Sequence, residues 1–253
     1  MYINGVSKIM KSDMELLPPS DDLEEKMEYL RAALKSVEWH SGFTDLQLSF
    51  NALKEIKWLR ENRHTKIYKD FLEQLKSLQQ STMNAEDSEA DYKMRFSYAV
   101  TLMESCLCEM LKSVTMQYNA LKENAMNNIG ELKNSKISAL LLLKKDSKEI
   151  LDSIIMGHVS HILYHNMDKV TKVYSEILGL PFPIIGSDVN ERLKKLMVLR
   201  HDIVHRNGVT IDGDKIDVSA DIVISCIENI RVFVVGVHQY IIQSLEKIKE
   251  KSV

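Results

Sequence analysis

The chain has 253 residues, which is enough for one large domain or two small ones. With 45% hydrophobic and 27% charged residues, its composition is typical of a globular protein. The formal net charge of −3 excludes nucleic-acid binding through bulk charge, so any RNA contact must come from a local patch.

The sequence contains no pattern that would place the chain in or across a membrane. No apolar run reaches the roughly 18 to 20 residues that a membrane span needs, and residues 1–10 lack the basic start and apolar core of a signal peptide. The three cysteines, Cys106, Cys108 and Cys226, make no disulfide framework. We therefore expect a cytoplasmic protein in a reducing setting.

The predicted fold class is all-α, because glycine and proline are few and apolar positions recur with helical spacing. Residues 1–80 are expected to form an N-terminal helical segment of unknown role, with helices over about 20–36, 44–59 and 65–80. Residues 81–90 (STMNAEDSEA) are polar and acidic, have almost nothing to bury, and are the predicted linker. Residues 91–253 are then expected to form a multi-helix up-and-down bundle.

The bundle is predicted to begin with a long helix from Asp91 to about Asn124, interrupted at residues 127–130 (NNIG). Glu104 lies close to the predicted apolar face of this helix, which comprises Met94, Tyr98, Thr101, Leu102, Ser105, Cys108 and Leu111. Further helical stretches are expected over about 131–143, 147–165 and 169–178. The sequence Gly-Leu-Pro-Phe-Pro at 179–183 ends the last of these.

The next helix contains an arginine in an unusual position. We expect this helix to begin near Ser187, which would serve as the N-cap. At about 100° per residue, Arg200 falls in the middle of an apolar stripe, His201 and His205 fall at its edge, and Asp202 points away. The apolar members of that stripe are Leu193, Leu196, Met197, Ile203 and Val204. Placing a guanidinium among core-facing residues costs desolvation free energy unless an opposite charge pairs with it or it lies in a solvated cleft.

After this helix, residues 209–218 alternate around Asp212-Gly213, the strongest short signal for a β-hairpin. A small hairpin is therefore predicted between the last two helices. Ser219 is expected to cap the last helix, which runs to about Lys249.

The side chains of Arg200, His201 and His205 are suited to acid–base chemistry on a phosphodiester. Histidine is the usual general acid or base near neutral pH, and arginine is suited to holding phosphate oxygens. An imidazole could take the proton from a ribose 2′-OH, which would attack the adjacent phosphate while the arginine holds it. The alternative from the residues alone is structural: Arg200 pairs with a buried Glu104, and the two histidines are half-exposed.

Metal and cofactor sites are not expected. His158, His161 and His165 have i, i+3, i+7 spacing on a predicted helix, but no cysteine or carboxylate joins them with ligand spacing. His201 and His205 have the i, i+4 spacing of a zinc-protease motif, which also needs a glutamate, and position 202 is Asp. A glycine-rich phosphate loop is not found either.

The run Arg200-His201-Asp202-Ile203-Val204-His205 resembles the Arg-(polar)-x-x-x-His motif of the HEPN superfamily, the higher eukaryote and prokaryote nucleotide-binding domains. The order of elements around it agrees: an upstream helix with Glu104, the Gly-Leu-Pro-Phe-Pro break, the His-Arg-Asn-Gly ending and a final amphipathic helix. The resemblance covers roughly residues 90–250. It implies a helical bundle, and many such bundles are ribonucleases of toxin–antitoxin, abortive-infection and CRISPR systems.

By this resemblance Arg200 and His205 would be the catalytic pair, with His201 in support and Glu104 orienting Arg200 through an ion pair. Asn207 is a further supporting residue, and it stands where one subgroup has a tyrosine that becomes adenylylated, so the resemblance does not carry that form of control over to this chain. Lys194, Lys195 and Arg206 are the candidates for positioning RNA phosphates.

The resemblance thus implies a metal-independent endoribonuclease of defence or toxin type that leaves 2′,3′-cyclic phosphate and 5′-hydroxyl ends. It also implies a homodimer with the motif helices facing each other, and an antitoxin or defence-system protein as a further partner. Two other functions stay open. The chain could be a non-catalytic module that binds RNA or a nucleotide, or a helical scaffold in which residues 1–80 dock a protein.

Overall fold

The computed structural model describes residues 23–36, 54–55, 57–59, 61–83, 88–135, 147–186 and 188–251. They fall into two compact units, a smaller one drawn from residues 1–61 and 138–146 and a larger one drawn from residues 62–137 and 147–253. Among the described residues there are helices and no strands, so the predicted all-α class is confirmed for this part of the chain.

In the smaller unit, helix α1 spans Leu23–Ser36. Glu24 and Glu25 lie in its first turn, where carboxylates interact favourably with the helix dipole. The Lys57 side chain donates a hydrogen bond to Glu24. The helix predicted over about 20–36 is therefore found, whereas most of the helix predicted over 44–59 lies outside the described residues.

The larger unit is a bundle around two long helices, α3 and α9. In chain order its helices are α2 (His64–Met83), α3 (Glu89–Gln117), α4 (Asn119–Asn128), α5 (Gly130–Lys133), α6 (Ser147–Ser160), α7 (Met167–Leu178), α8 (Val189–His205) and α9 (Ala220–Lys251). The helices α2, α6 and α8 all pack on α3, while α2 and α8 also pack on α9. None of the described helices is both long and apolar enough to cross a membrane.

The helix α2 packs with the bundle, whereas the sequence analysis grouped its residues with the N-terminal segment. Its buried side consists of Ile67, Phe71, Leu75 and Leu78, as its periodicity predicts. Helix α2 continues to Met83, and the hydroxyls of Ser81 and Thr82 both donate to the carbonyl of Leu78 within the helix. Only residues 84–88 thus separate α2 from α3, fewer than the predicted linker of 81–90.

The helix α3 begins with a capping box, in which Ser88 and Asp91 each accept a hydrogen bond from the other's backbone N–H. The predicted apolar face was partly wrong, since Met94 and Tyr98 are 64% and 49% exposed. The buried stripe is rotated from it and repeats at seven-residue spacing through Phe96, Val100, Met103, Leu107 and Met110. The predicted continuation to Asn124 is also interrupted, because Tyr118 is extended between α3 and α4.

The helix α7 has well-defined ends. The Asn166 side chain caps its N-terminus by accepting a hydrogen bond from the backbone N–H of Lys169 at 3.1 Å. Gly179 ends it in the left-handed conformation, with φ 70°. The stop predicted from the Gly-Leu-Pro-Phe-Pro sequence is confirmed.

The predicted β-hairpin at residues 209–218 was wrong as a pair of strands. The chain turns back at Gly213, which has φ 91°, but it forms only one isolated antiparallel bridge, between Val209 and Lys215. Most side chains of this segment are exposed, so no buried face extends the pairing. The segment is a tight loop that joins α8 to α9.

Replacing Gly179 with alanine tests the C-terminal cap of α7. A Cβ at this position would lie 2.8 Å from the Asn124 side-chain nitrogen, which donates to the Ile177 carbonyl at 3.0 Å. The close contact and the left-handed backbone should both destabilise the variant. We expect Gly179→Ala to lower the free energy of unfolding by about 1–2 kcal/mol, measured by urea denaturation.

The matched control is Gly157→Ala. Gly157 lies inside α6, and nothing is within 4 Å of the added Cβ. Because alanine is the better helix former, this variant should be more stable by about 0.5–1 kcal/mol. Equal effects of the two substitutions would contradict the structural assignment of Gly179.

Candidate active site

The motif helix α8 is held by apolar side chains on the faces that meet α3 and α9. Val189, Leu193, Met197 and Ile203 are buried. The helix begins at Val189 with Asp188 as its N-cap, and the predicted cap Ser187 lies outside the described residues.

The last turn of α8 departs from the predicted stripe at two positions. Val204 is 45% exposed, and Asp202, which was predicted to point away from the core, is buried. Asp202 is buried because of its contacts with the residues that follow the helix. The Asp202 carboxylate accepts a hydrogen bond from Arg206 Nη1 at 3.1 Å, and its backbone carbonyl accepts from the N–H groups of Arg206 and Gly208, both at 3.0 Å. The loop therefore folds over Asp202.

Arg200 is half-buried on α8, as its position in the apolar stripe predicts. Its Nε is buried and has no hydrogen-bond partner. Within the described ranges no carboxylate forms an ion pair with it. Other arginines of the same unit do have such partners: Arg192 with Asp188 at 3.9 Å, Arg206 with Asp202 at 3.1 Å and Arg231 with Glu228 at 2.7 Å. Arg200 is thus a partly desolvated cation without a counter-charge among the described residues, and an anionic ligand could supply one.

His201 and His205 are exposed, and their ring centroids are 4.8 Å apart. With Lys194 and Val198 they occupy positions i, i+4, i+7 and i+11, which lie on one side of a helix. We call this stripe of Lys194, Val198, His201 and His205 the motif stripe. It places two solvent-accessible imidazoles one helical turn apart, so both can meet a substrate.

The ion pair expected between Glu104 and Arg200 is not formed. Instead Glu104 Oε1 lies 3.1 Å from His165 Nδ1. The helix predicted to run to His165 ends at Ser160, and a turn over residues 161–166 then brings His165 to α3. The contact could not be predicted from the helical spacing, because the predicted helix continues through this turn.

The three spaced histidines accordingly separate rather than converge. His158 Nδ1 lies 3.2 Å from Glu131 Oε2, and His161 Nδ1 lies 2.6 Å from the Gly157 carbonyl oxygen. In the part of the chain that the structure describes, no group of three or more metal-ligating side chains is placed to hold an ion.

Two of the three residues expected to position RNA are already paired with carboxylates. Lys194 lies 2.9 Å from Asp168 and 3.2 Å from Glu191, and these contacts raise its pKa. Arg206 is held by Asp202, as described above. Lys195 is exposed and has no carboxylate partner among the described residues.

Ion pairs connect the loop after α8 to the start of α3, where the Glu89 carboxylate lies between two lysines. Glu89 Oε2 lies 2.8 Å from Lys215 Nζ, and Glu89 Oε1 lies 2.6 Å from Lys93 Nζ. Hydrogen bonds from Lys215 and Lys93 lower the pKa of Glu89 to about 2. Lys93 also lies against Gly208. The end of the motif helix is therefore positioned by residues outside the motif.

Asn207 and Gly208 give this helix end its shape. Both have left-handed backbones, with φ 55° and 77°. Asparagine tolerates this conformation better than other non-glycine residues. The left-handed backbone at position 207 therefore explains why an asparagine fits there.

The helical bundle and the Arg-x4-His sequence on a helix that packs against α3 and α9 define a domain of the HEPN class. The family model for RiboL-PSP-HEPN matches residues 78–246, from the last turns of α2 into α9. The chain therefore belongs to the RiboL-PSP-HEPN family of the HEPN superfamily. HEPN domains are typically ribonucleases, and membership implies RNA binding. No curated protein and no solved structure matches the chain.

Substitution of Asn207 separates its backbone role from any role of its side chain. Asn207→Ala should lower the free energy of unfolding by about 1 kcal/mol, because alanine resists the left-handed conformation. Asn207→Gly should stay within about 0.5 kcal/mol of the original chain. Urea denaturation of both variants checks this. A larger loss with glycine than with alanine would show that the backbone conformation is not the reason for asparagine.

Proposed function

We propose that this protein is an endoribonuclease that cleaves RNA without a metal ion. The observation that carries the proposal is Arg200, a half-buried guanidinium on the motif helix with no carboxylate partner among the described residues. Such a group is suited to bind a phosphodiester and to stabilise the charge that develops on it. The exposed imidazoles of His201 and His205 on the same helix supply groups for proton transfer.

In the proposed reaction His205 takes the proton from a ribose 2′-OH. The 2′ oxygen attacks the adjacent phosphorus while Arg200 holds the phosphate oxygens. The bond from phosphorus to the 5′ oxygen breaks, and His201 or water supplies a proton to that oxygen. The products are a 2′,3′-cyclic phosphate and a 5′-hydroxyl, and neither a redox partner nor a cofactor is required. Lys195 would contact flanking phosphates, and so would Lys194 and Arg206 if RNA displaced their carboxylate partners.

We further propose the setting that the family resemblance implies, a defence or toxin-like role controlled by a partner protein. The alternative functions make different predictions. A non-catalytic module would bind RNA without turnover. A helical scaffold would be indifferent to RNA and would recognise a protein instead, with residues 1–80 as the docking element.

The cleavage assay uses total cellular RNA in the presence of EDTA. The original chain should leave 2′,3′-cyclic phosphate ends, and His205→Ala and Arg200→Ala should each reduce the rate by at least about a hundredfold. The matched control is Arg192→Ala, which removes an exposed arginine of the same helix that pairs with Asp188. It should cleave RNA at nearly the original rate.

Circular dichroism should show an intact fold for each variant. Cleavage that EDTA abolishes would contradict the metal-independent reaction. Tight RNA binding by a chain that never cleaves would favour the binding module.

A homodimer with facing motif helices is proposed from the apolar side chains beside the motif. Val198 and Ile211 are 63% and 78% exposed. They line a shallow groove of about 400 Å³ together with Met197, His201, Asp202 and Arg206. Burying these side chains against a second copy would remove apolar surface from water and bring two motif stripes together.

Analytical ultracentrifugation tests the dimer. The original chain should sediment with twice its own mass, and Val198→Asp should be a monomer with reduced cleavage, since a carboxylate would be buried at the interface. Ile184→Asp is the control, because Ile184 is 90% exposed but lies outside the groove. It should remain a dimer. A monomeric original chain would contradict the dimer proposal while leaving the cleavage proposal standing.

A further inference from the structure

The contact between Glu104 and His165 is a histidine–carboxylate pair outside the motif helix. Glu104 Oε1 lies 3.1 Å from His165 Nδ1, and the side chains are 21% and 48% exposed. A carboxylate this close to Nδ1 favours one orientation of the ring and leaves Nε2 for another partner. Since the His165 side chain is half-exposed, that partner can come from solution.

Two observations locate this pair next to the motif stripe. Glu104 shares one side of α3 with Lys93, three helical turns away, and Lys93 lies against Gly208 at the end of α8. At the other end of the stripe, Lys194 lies 2.9 Å from Asp168. His165 lies in the turn just before α7 and precedes Asp168 by three residues, so it lies near the Lys194 end.

The distance along α8 separates His165 from the proposed cleavage site. Lys194 and His205 are eleven residues apart, which is about 16 Å along a helix. A group near Lys194 is therefore too far away to share a single phosphate with His205. It can meet a phosphate further along the same RNA strand.

We propose that His165 is an RNA-contacting residue, whose imidazolium donates a hydrogen bond from Nε2 to a phosphate further along the strand than the cleaved one, and that Glu104 is the positioning residue that orients its ring. The inference rests on the proposed function, because it extends the same site along the RNA strand. It gives Glu104 a role different from the expected ion pair with Arg200. Arg200 thereby stays available for the reacting phosphate.

The first experiment measures the affinity for a short single-stranded RNA with 2′-O-methyl riboses, which lack the nucleophilic hydroxyl. His165→Ala should weaken binding about tenfold, as the loss of one charged hydrogen bond predicts. Glu104→Gln should weaken it about threefold, and should have no further effect when His165 is already alanine. His165→Arg should restore binding, because a guanidinium can donate to a phosphate and still pair with Glu104.

The matched control is His161→Ala, which removes a histidine of the same turn whose ring bonds to the Gly157 carbonyl of the preceding helix, α6. It should bind RNA as the original chain does. In the cleavage assay, His165→Ala should raise KM about tenfold and change kcat less than about twofold, because the proposed contact is made equally before and during the reaction.

The outcomes separate this inference from the proposed function. If His205→Ala abolishes cleavage but His165→Ala binds like the original chain, the role of His165 is overturned and the ribonuclease stands. If the chain binds the methylated RNA through His165 but never cleaves RNA, catalysis is overturned and the contact stands. A loss of kcat at unchanged KM, no rescue by arginine, or no binding of the methylated RNA by the original chain would each overturn the contact.

Discussion

The packing of α8 against α3 and α9 is the constraint on which the candidate site depends. Full burial of one leucine, isoleucine or methionine side chain contributes roughly 1.5–3 kcal/mol, and Leu193, Met197 and Ile203 are all buried on this helix. Their burial offsets the desolvation cost of holding the Arg200 guanidinium on the same helix. Because side-chain directions follow the helical repeat, the burial of these three residues also determines that Arg200 is half-buried and that His201 and His205 face solvent.

The distribution of carboxylates then decides which cations near α8 are available to a ligand. Asp202 holds Arg206, Asp168 and Glu191 hold Lys194, and Glu89 holds Lys93 and Lys215. These pairs are at or near the surface, so each adds little to stability, but they fix the position of α8 and the loop after it. Arg200 stands apart because Glu104, the acidic group expected beside it, contacts His165 instead. The charge pattern therefore favours anion binding at Arg200 despite the negative net charge of the chain.

The features that could be predicted from the sequence are those that local patterns determine. Helical periodicity and capping residues predicted α1, α2, α7 and α9 to within a few residues, and the place of Arg200 on α8 followed from the helical repeat alone. The errors arose where a tertiary contact outweighs the local pattern. Asp202 is buried by a loop that folds back over it, and the Asp212-Gly213 turn lacks the buried face that would extend one bridge into strands. The functional roles of Arg200, His201 and His205 remain predictions.

The Glu104–His165 contact shows why a site of this kind cannot be read from its motif alone. Sequence spacing places an acidic residue on α3 near the core, but it does not say which cation or imidazole the carboxylate meets. Here the choice depends on the end of α6 at Ser160, because the turn over residues 161–166 is what brings His165 to Glu104. That turn ends at the Asn166 cap of α7, and Asp168 in the first turn of α7 reaches Lys194. The segment that supplies the partner of Glu104 is therefore also linked to the motif helix by an ion pair.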